Sequence, residues 1–182
     1  MSESQVLRQD VLGARRNSNF LWGGITTIGG VGFLLAGLSS YFHRNLLFFS
    51  DTSAYQFVPQ GVALLFYGII GSSLAFYTWL TVLWNIGGGF NEFDQQAGTV
   101  KIFRWGFPGK NRQIEVSFPL AEVQSVRAEV KEGLNPKRAL FLKLTKQREI
   151  PLTRVGEPMA LSALENQGAE LAKFLAVPLE GL

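Results

Sequence analysis

The sequence contains no cysteine and only one histidine. Without cysteine the chain can form no disulfide, no thiol nucleophile and no zinc–thiolate site. A single histidine excludes a histidine-cluster metal site and most histidine-based catalytic triads. Charged residues make up 17% of the 182 residues, which is below the usual value of about 25% and indicates long uncharged segments. The 15 Phe, four Trp and four Tyr argue against disorder.

Two long segments, residues 17–43 and 52–91, carry no Asp, Glu, Lys or Arg. Within them, residues 20–41 and 61–84 are predominantly apolar, and a helix of 24 residues is about 36 Å long. About 20 residues cross a hydrocarbon core of about 30 Å. The sequence therefore predicts two transmembrane helices. Two buried helices of a soluble protein are the alternative, but a chain this short offers too little protein to surround them.

A cleaved signal peptide is the alternative interpretation of the first segment, because Arg15 and Arg16 precede it. The apolar run over residues 20–41 is longer than the hydrophobic region of a signal peptide, and no Ala-x-Ala cleavage site follows it. Trp and Tyr near the ends of both segments are typical of a membrane interface. These features favour a membrane hairpin over a signal peptide.

The positions of Lys and Arg predict the orientation of this hairpin. The basic residues around it are Arg8, Arg15 and Arg16 before the first span, Arg44 between the spans, and Lys101, Arg104 and Lys110 after the second span. Because the connecting loop has a single cation, we expect both termini on the cytoplasmic or stromal side.

Small residues recur every four positions in both predicted spans. They are Gly32, Ala36 and Ser40 in the first span, and Gly68 with Ser72 and Gly71 with Ala75 in the second. Small residues at this spacing let helix backbones approach closely in lipid. The pattern indicates either the contact between the two helices or a face for another membrane protein. His43 is interpreted as an interfacial polar residue rather than a ligand.

The C-terminal half, residues 92–182, has 13 Lys and Arg against 11 Asp and Glu, a balance that argues against nucleic-acid binding. Alternating apolar and polar residues predict short strands, at residues 90–94, 99–105, 112–118, 126–130, 139–144 and 149–152. A final helix is predicted over residues 163–176, with Ser162 and Glu165 as a capping box.

The predicted fold class is an α+β membrane protein. We expect an N-terminal tail over residues 1–19, a two-helix transmembrane hairpin over 20–86, and a small antiparallel β domain over 90–182 that is closed by the C-terminal helix. The order of strands and helix resembles the pleckstrin-homology-like topology, and a generic α+β sandwich is the alternative. Such a likeness concerns fold and not function.

No motif in the sequence indicates catalysis. There is no phosphate-binding loop, no pair of metal-binding carboxylates on one helix and no nucleophile elbow. The three glycines at residues 87–89 follow a predicted span and lack the Lys-Ser/Thr ending of a nucleotide-binding loop. We therefore expect no enzymatic activity, no cofactor and no metal site.

One segment, residues 101–112, combines cations with aromatic side chains and has no acidic residue. The candidate partner-binding residues in it are Lys101, Arg104, Trp105, Phe107, Lys110 and Arg112. Arg and Trp are enriched in protein-binding hot spots, and cations also meet anionic headgroups. The alternative is a solvated hairpin whose aromatic side chains belong to the core. Lys137 and Arg138 form a second, weaker candidate patch.

The sequence resembles a known family over nearly its whole length. The matching segments are residues 87–93, 98–112, 130–136, 150–156 and 177–182. They resemble the thylakoid photosystem I assembly proteins of cyanobacteria and chloroplasts, a family named as a hypothetical chloroplast open reading frame. The extreme N-terminus and residues 115–121 show less likeness.

The resemblance implies a non-catalytic assembly factor in the thylakoid membrane. Its partners would be newly made reaction-centre subunits and peripheral subunits of photosystem I, together with the lipid bilayer. Nucleic acid is not an expected partner. The protein could also form a homo-oligomer. No catalytic residues are carried over from the family. The alternatives are a membrane-anchored lipid- or protein-binding module with a pleckstrin-homology-like domain, and a structural subunit of the finished photosystem.

Overall fold

The computed structural model describes residues 5–131, 137–145, 148–153 and 160–181. The chain forms two compact units. The helical unit comprises Leu12–Ile86, and the sheet unit combines the segments on either side of it, Met1–Val11 and Gly87–Leu182.

The helical unit consists of two long helices, α1 (Asn17–Phe42) and α2 (Val62–Leu83), the latter preceded by an irregular helical turn at Phe57–Gly61. Both helices are long and apolar enough to cross a membrane, by length and composition. Large apolar side chains stay exposed on both, including Ile28 at 78% and Phe76 at 67%. The prediction of two long apolar helices in these positions is confirmed.

Glycine residues let the backbones of the two helices come into direct contact. A Cβ atom built on Gly30 would lie 2.5 Å from the backbone of Gly71, and one on Gly68 would overlap the backbone of Leu34. A hydrogen bond of 2.9 Å from Trp79 Nε1 to Thr27 Oγ1 adds a polar contact between the helices. Gly32 does not belong to this contact, because no other part of the chain that the structure describes lies within 4 Å of its Cβ position.

The described residues of the sheet unit form two four-stranded sheets and one helix. The first sheet has the order β1-β2-β3-β4, and the second has the order β7-β6-β5-β8. The strands are β1 (Val6–Val11), β2 (Gly89–Asp94), β3 (Thr99–Trp105), β4 (Gln113–Pro119), β5 (Val123–Lys131), β6 (Lys137–Leu144), β7 (Arg148–Pro151) and β8 (Leu179–Glu180), with the helix α3 (Leu161–Leu175) before β8. All neighbouring strands pair antiparallel except β5 and β8, which pair parallel.

Strand β1 lies in the segment that the sequence interpretation treats as a tail. It pairs with β2, with Val6 opposite Asp94 and Val11 opposite Gly89. The helical unit is therefore an insertion between two adjacent strands of one sheet. Sequence periodicity gives no warning of this pairing, because β1 is short and its partner lies beyond both long helices.

The core of the sheet unit forms from buried aliphatic side chains of both sheets and α3. The prediction of Leu140, Leu142 and Leu144 on one strand face is confirmed, since all three are buried. Leu164 and Leu171 face the same core from α3. Gly168 allows a close approach there, because a Cβ atom on it would lie 3.3 Å from Leu140.

Two local predictions are corrected. The N-cap of α3 is Ala160, without a side-chain cap, so Ser162 lies inside the helix and the predicted capping box does not form. The alternation in β4 predicts a half-buried strand, yet Ile114 and Val116 are 49% and 40% exposed. Strand β4 is an edge strand that pairs only with β3 among the described strands, so the core covers little of its apolar face.

Candidate functional site

Strand β3 divides the predicted cluster at residues 101–112 between two faces of the first sheet. Val100 and Ile102 are buried in the core, and Arg104 follows them on this inner face. Because side chains alternate along a strand, Lys101 and Trp105 lie on the outer face. The side chains of this one segment therefore lie in two different environments, the core and the outer face of the sheet.

Arg104 is a structural cation. Its guanidinium donates hydrogen bonds to the backbone oxygens of Phe90 (3.0 Å), Phe103 (2.8 Å) and Leu152 (2.9 Å), and to Asn91 Oδ1 (2.7 Å). Asn91 is 1% exposed and donates to the same Leu152 oxygen at 3.0 Å. Burial lowers the pKa of Arg104, although a guanidinium remains charged in proteins. These bonds tie the first sheet to the residue that follows β7.

The outer face carries a row of aromatic side chains, which we call the aromatic ladder: Phe90, Phe103 and Trp105. The rings of Phe90 and Phe103 stack with centroids 5.4 Å apart, and Trp105 meets Phe103 edge to face at 4.9 Å. Arg8 lies 3.9 Å above the ring of Phe90, and Arg112 lies 5.3 Å from the ring of Trp105. A cation thus stands at each end of the ladder.

The turn between β3 and β4 is held in a defined shape. The Gly106 N–H donates to the Arg112 oxygen at 2.7 Å, and Gly109 has a positive φ of 151° that favours glycine. Phe107 is 52% exposed, and Lys110 is exposed. Two further bonds of 2.7 Å join Trp105 to Gly87 and Gly88, so this end of β3 lies beside the residues where the chain enters the sheet unit.

The cations of this surface differ in their ion pairing. Lys101 lies 3.0 Å from Glu115, and Arg8 lies 3.7 Å from Glu92. Among the described residues, neither Lys110 nor Arg112 has a carboxylate oxygen within 4.0 Å. These two cations are the ones that can pair with an acidic partner without breaking an internal bridge.

The second predicted patch lies apart from the ladder. Lys137 and Arg138 open β6 in the other sheet, and Arg138 is partly buried. The turn predicted at residues 133–136 lies outside the described residues. The structure therefore does not bring this patch together with residues 101–112 on one sheet.

Sequence reasoning missed Arg8 and Phe90 as members of the site. Phe90 lies in the matching segment at residues 87–93, so the resemblance contained a signal for it. Arg8 joins the surface only because β1 pairs with β2, where Arg8 lies opposite Glu92. No local pattern reports that pairing.

The chemistry of this surface suits protein binding. Aromatic rings and guanidinium groups contribute most strongly to protein interfaces. In the part of the chain that the structure describes, no group of three His, Cys, Asp or Glu side chains could hold a metal ion. The aromatic ladder with Arg8, Lys110 and Arg112 is the candidate functional site.

The sequence matches known proteins along almost its full length. The family model described as Ycf4 matches residues 4–173. The photosystem I assembly protein Ycf4 of Microcystis aeruginosa is 67% identical over 180 residues, which cover 99% of this chain and 96% of that protein. The proteins of the same name from Synechocystis and Thermosynechococcus vestitus are 69% and 58% identical, over 98% and 99% of this chain and 95% and 94% of theirs. The chain belongs to the Ycf4 family.

Proposed function

We propose that this protein is a non-catalytic assembly factor that holds newly made photosystem I subunits at the thylakoid membrane. A role in photosystem I assembly is supported by the relatives that are named as photosystem I assembly proteins. The aromatic ladder and its flanking cations support the mode of action, which is reversible binding of client subunits. A small, partly charged surface suits transient contacts, because charge complementarity speeds encounter while a limited area keeps affinity modest.

The helices α1 and α2 would cross the membrane as a hairpin. Pairing of β1 with β2 supports an even number of crossings, because these strands flank the hairpin and must lie on one side of the bilayer. The basic residues near the hairpin ends, such as Arg15 and Arg16, favour the cytoplasmic or stromal side. The sheet unit would then face the compartment in which peripheral subunits are added.

Cysteine cross-linking tests this topology cleanly, because the chain has no cysteine of its own. Arg8 and Glu92 lie opposite each other, so an R8C/E92C variant should form an intrachain disulfide in membranes. The control R8C/K101C places the cysteines two strands apart, at about 9.6 Å, which is beyond disulfide range. Equal cross-linking of both variants, or of neither, would contradict the shared side.

A pulse-labelling experiment tests client binding. We expect tagged full-length protein, solubilised mildly after a short radioactive pulse, to recover new photosystem I reaction-centre subunits that fade during the chase. A K110A/W105A/R112A variant should lose most of this recovery while its sheets stay folded. Arg104 is left intact, because its removal would damage the fold.

The second sheet provides a matched control, since Arg127 also lies over an aromatic ring, that of Phe141, at 5.6 Å. An R127A/F141A variant removes a comparable cation–aromatic pair and should retain client recovery. Equal loss in both variants would overturn the assignment of the ladder. Clients that persist at constant ratio through the chase would instead indicate a structural subunit.

The alternative function is a membrane-anchored lipid-binding module. Two sheets and a C-terminal helix are compatible with the pleckstrin-homology-like topology that the strand order predicts. In that case the sheet unit would bind anionic vesicles without any client, and the triple variant would lose vesicle binding. Vesicle binding by the unmodified protein, together with no recovery of photosystem I subunits in the pulse experiment, would favour the lipid module.

A further inference from the structure

The loop between α1 and α2 is folded back onto the helix that precedes it. The Leu46 N–H donates to Ser39 Oγ at 2.9 Å, and the Ser40 hydroxyl donates to the Tyr55 oxygen at 2.8 Å. Ser39 lies three residues before the end of α1, which is about one helical turn. Both arms of the loop are therefore held at the depth of the last turn of α1.

An open cavity of about 420 Å³ lies at this end of the helical unit, lined by Phe42, Arg44 and Leu46. It joins one cation to two apolar side chains. Such a lining matches a ligand that has an anionic group next to a hydrocarbon chain, and a free hydrophilic anion would use only half of it.

The cation in this loop is Arg44. In the described residues no carboxylate oxygen lies within 4.0 Å of its guanidinium, and no hydrogen bond joins that group to the rest of the chain. The acid in the same loop, Asp51, is occupied by Ser53, whose hydroxyl and N–H donate to it at 2.6 and 3.0 Å. These bonds lower the pKa of Asp51.

Two exposed phenylalanines follow Leu46 in the same loop. Phe48 is 98% exposed and Phe49 is 70% exposed, with ring centroids 5.1 Å apart. Tyr41 and Phe42 at the end of α1 are also exposed, at 56% and 58%. Exposed aromatic side chains at the end of a long apolar helix are typical of a membrane interface.

We propose that this loop is a binding site for an anionic membrane lipid, with Arg44 on the headgroup and Phe42 and Leu46 against the upper acyl chain. Phe48 and Phe49 insert at the boundary between headgroups and hydrocarbon and hold the loop there. The proposal rests on the proposed membrane hairpin, and it concerns the leaflet opposite the sheet unit. It predicts that this loop lies in the interface and not in the aqueous phase.

Native mass spectrometry of the full chain, released from bilayers of equal phosphatidylglycerol and phosphatidylcholine, tests the headgroup. One cation near an anionic surface gives a preference of about fivefold, so we expect that enrichment of bound phosphatidylglycerol. The variant R44Q should bind both lipids equally, whereas R148Q, which removes an exposed arginine of the sheet unit, should keep the preference. Unchanged enrichment in R44Q, or full displacement by excess inorganic phosphate, would overturn the lipid site.

Spin labels on single cysteines separate this proposal from the membrane hairpin itself. A label at S50C should be reached by oxygen more than by a polar nickel reagent, as at the headgroup boundary, and a label at V31C should read the hydrocarbon core. Water exposure of both labels would refute the hairpin. A buried V31C label with a water-exposed S50C label would refute the loop site but leave the hairpin standing. An S50C label that is shielded from water only when client proteins are bound would also refute the loop site.

Discussion

The hydrogen bonds of Arg104 predict how much stability the sheet unit loses when this side chain is removed. Replacing Arg104 with alanine removes four hydrogen bonds, three to backbone oxygens and one to Asn91 Oδ1. Asn91 is 1% exposed, so its oxygen cannot turn to water for a new donor. The variant R104A therefore leaves a buried acceptor unsatisfied and loosens the tie to Leu152.

The loss of stability can be scaled from hydrogen bonds of the same kind in other proteins. A hydrogen bond to a charged group contributes about 1.5–3 kcal/mol, and an unsatisfied buried polar group costs about 1–3 kcal/mol. The bonds share one side chain and are not additive, so we expect R104A to lower the free energy of unfolding of the sheet unit by about 3–5 kcal/mol, less than the sum of the separate terms. R104K should cost less, because lysine keeps the charge but cannot reach four oxygens from one ammonium group.

Hydrogen exchange of the full-length protein in detergent measures this change locally. Amides of β2 and β6 should exchange faster in R104A, since both strands belong to the core that Arg104 and Asn91 join. R112A serves as the control, because its exposed contact with Trp105 is worth about 0.5–1 kcal/mol. Exchange in R104A no faster than in R112A would refute the structural role of Arg104.

Three further predictions concern helix packing and capping. G68A should destabilise the helical unit by about 1–3 kcal/mol by forcing the helices apart, whereas G32A should not, as measured by unfolding in SDS. W79F should cost about 0.6 kcal/mol in the same assay, through loss of the bond to Thr27. S162A should change the thermal stability of the sheet unit by less than about 0.5 kcal/mol, since a true N-cap serine would cost about 1 kcal/mol; a larger loss would contradict the start of α3.

The sequence was informative where periodicity and local composition decide the structure. The two long apolar helices follow from uncharged segments, and β3 occupies the predicted residues 99–105. Strand β1 could not be predicted in this way, because its partner β2 begins 78 residues after β1 ends. The failed capping box at Ser162 shows the same limit at short range, since the helix starts one residue before it and its first turn has no side-chain cap.

The candidate site was predicted in composition but not in arrangement. Alternation along β3 places Arg104 and Trp105 on opposite faces, a separation that a linear list of cations and aromatics does not express. Arg8 was absent from the prediction because only the β1–β2 pairing brings it over Phe90. In both cases the missing information is tertiary structure: the sequence shows the residue types but does not show which residues become their neighbours.

This separation decides how mutant phenotypes should be interpreted. Under the proposed function, loss of Arg104 and loss of Arg112 would both reduce photosystem I levels, the first because the sheets open and the second because a client contact is missing. Accumulation of photosystem I alone cannot distinguish the two causes. Hydrogen exchange can, because an outer-face variant should lose client recovery while β2 and β6 keep their protection. A variant at Trp105 that lost both would show that the ladder acts mainly as part of the fold, and the client surface would then have to be sought elsewhere on the sheet unit.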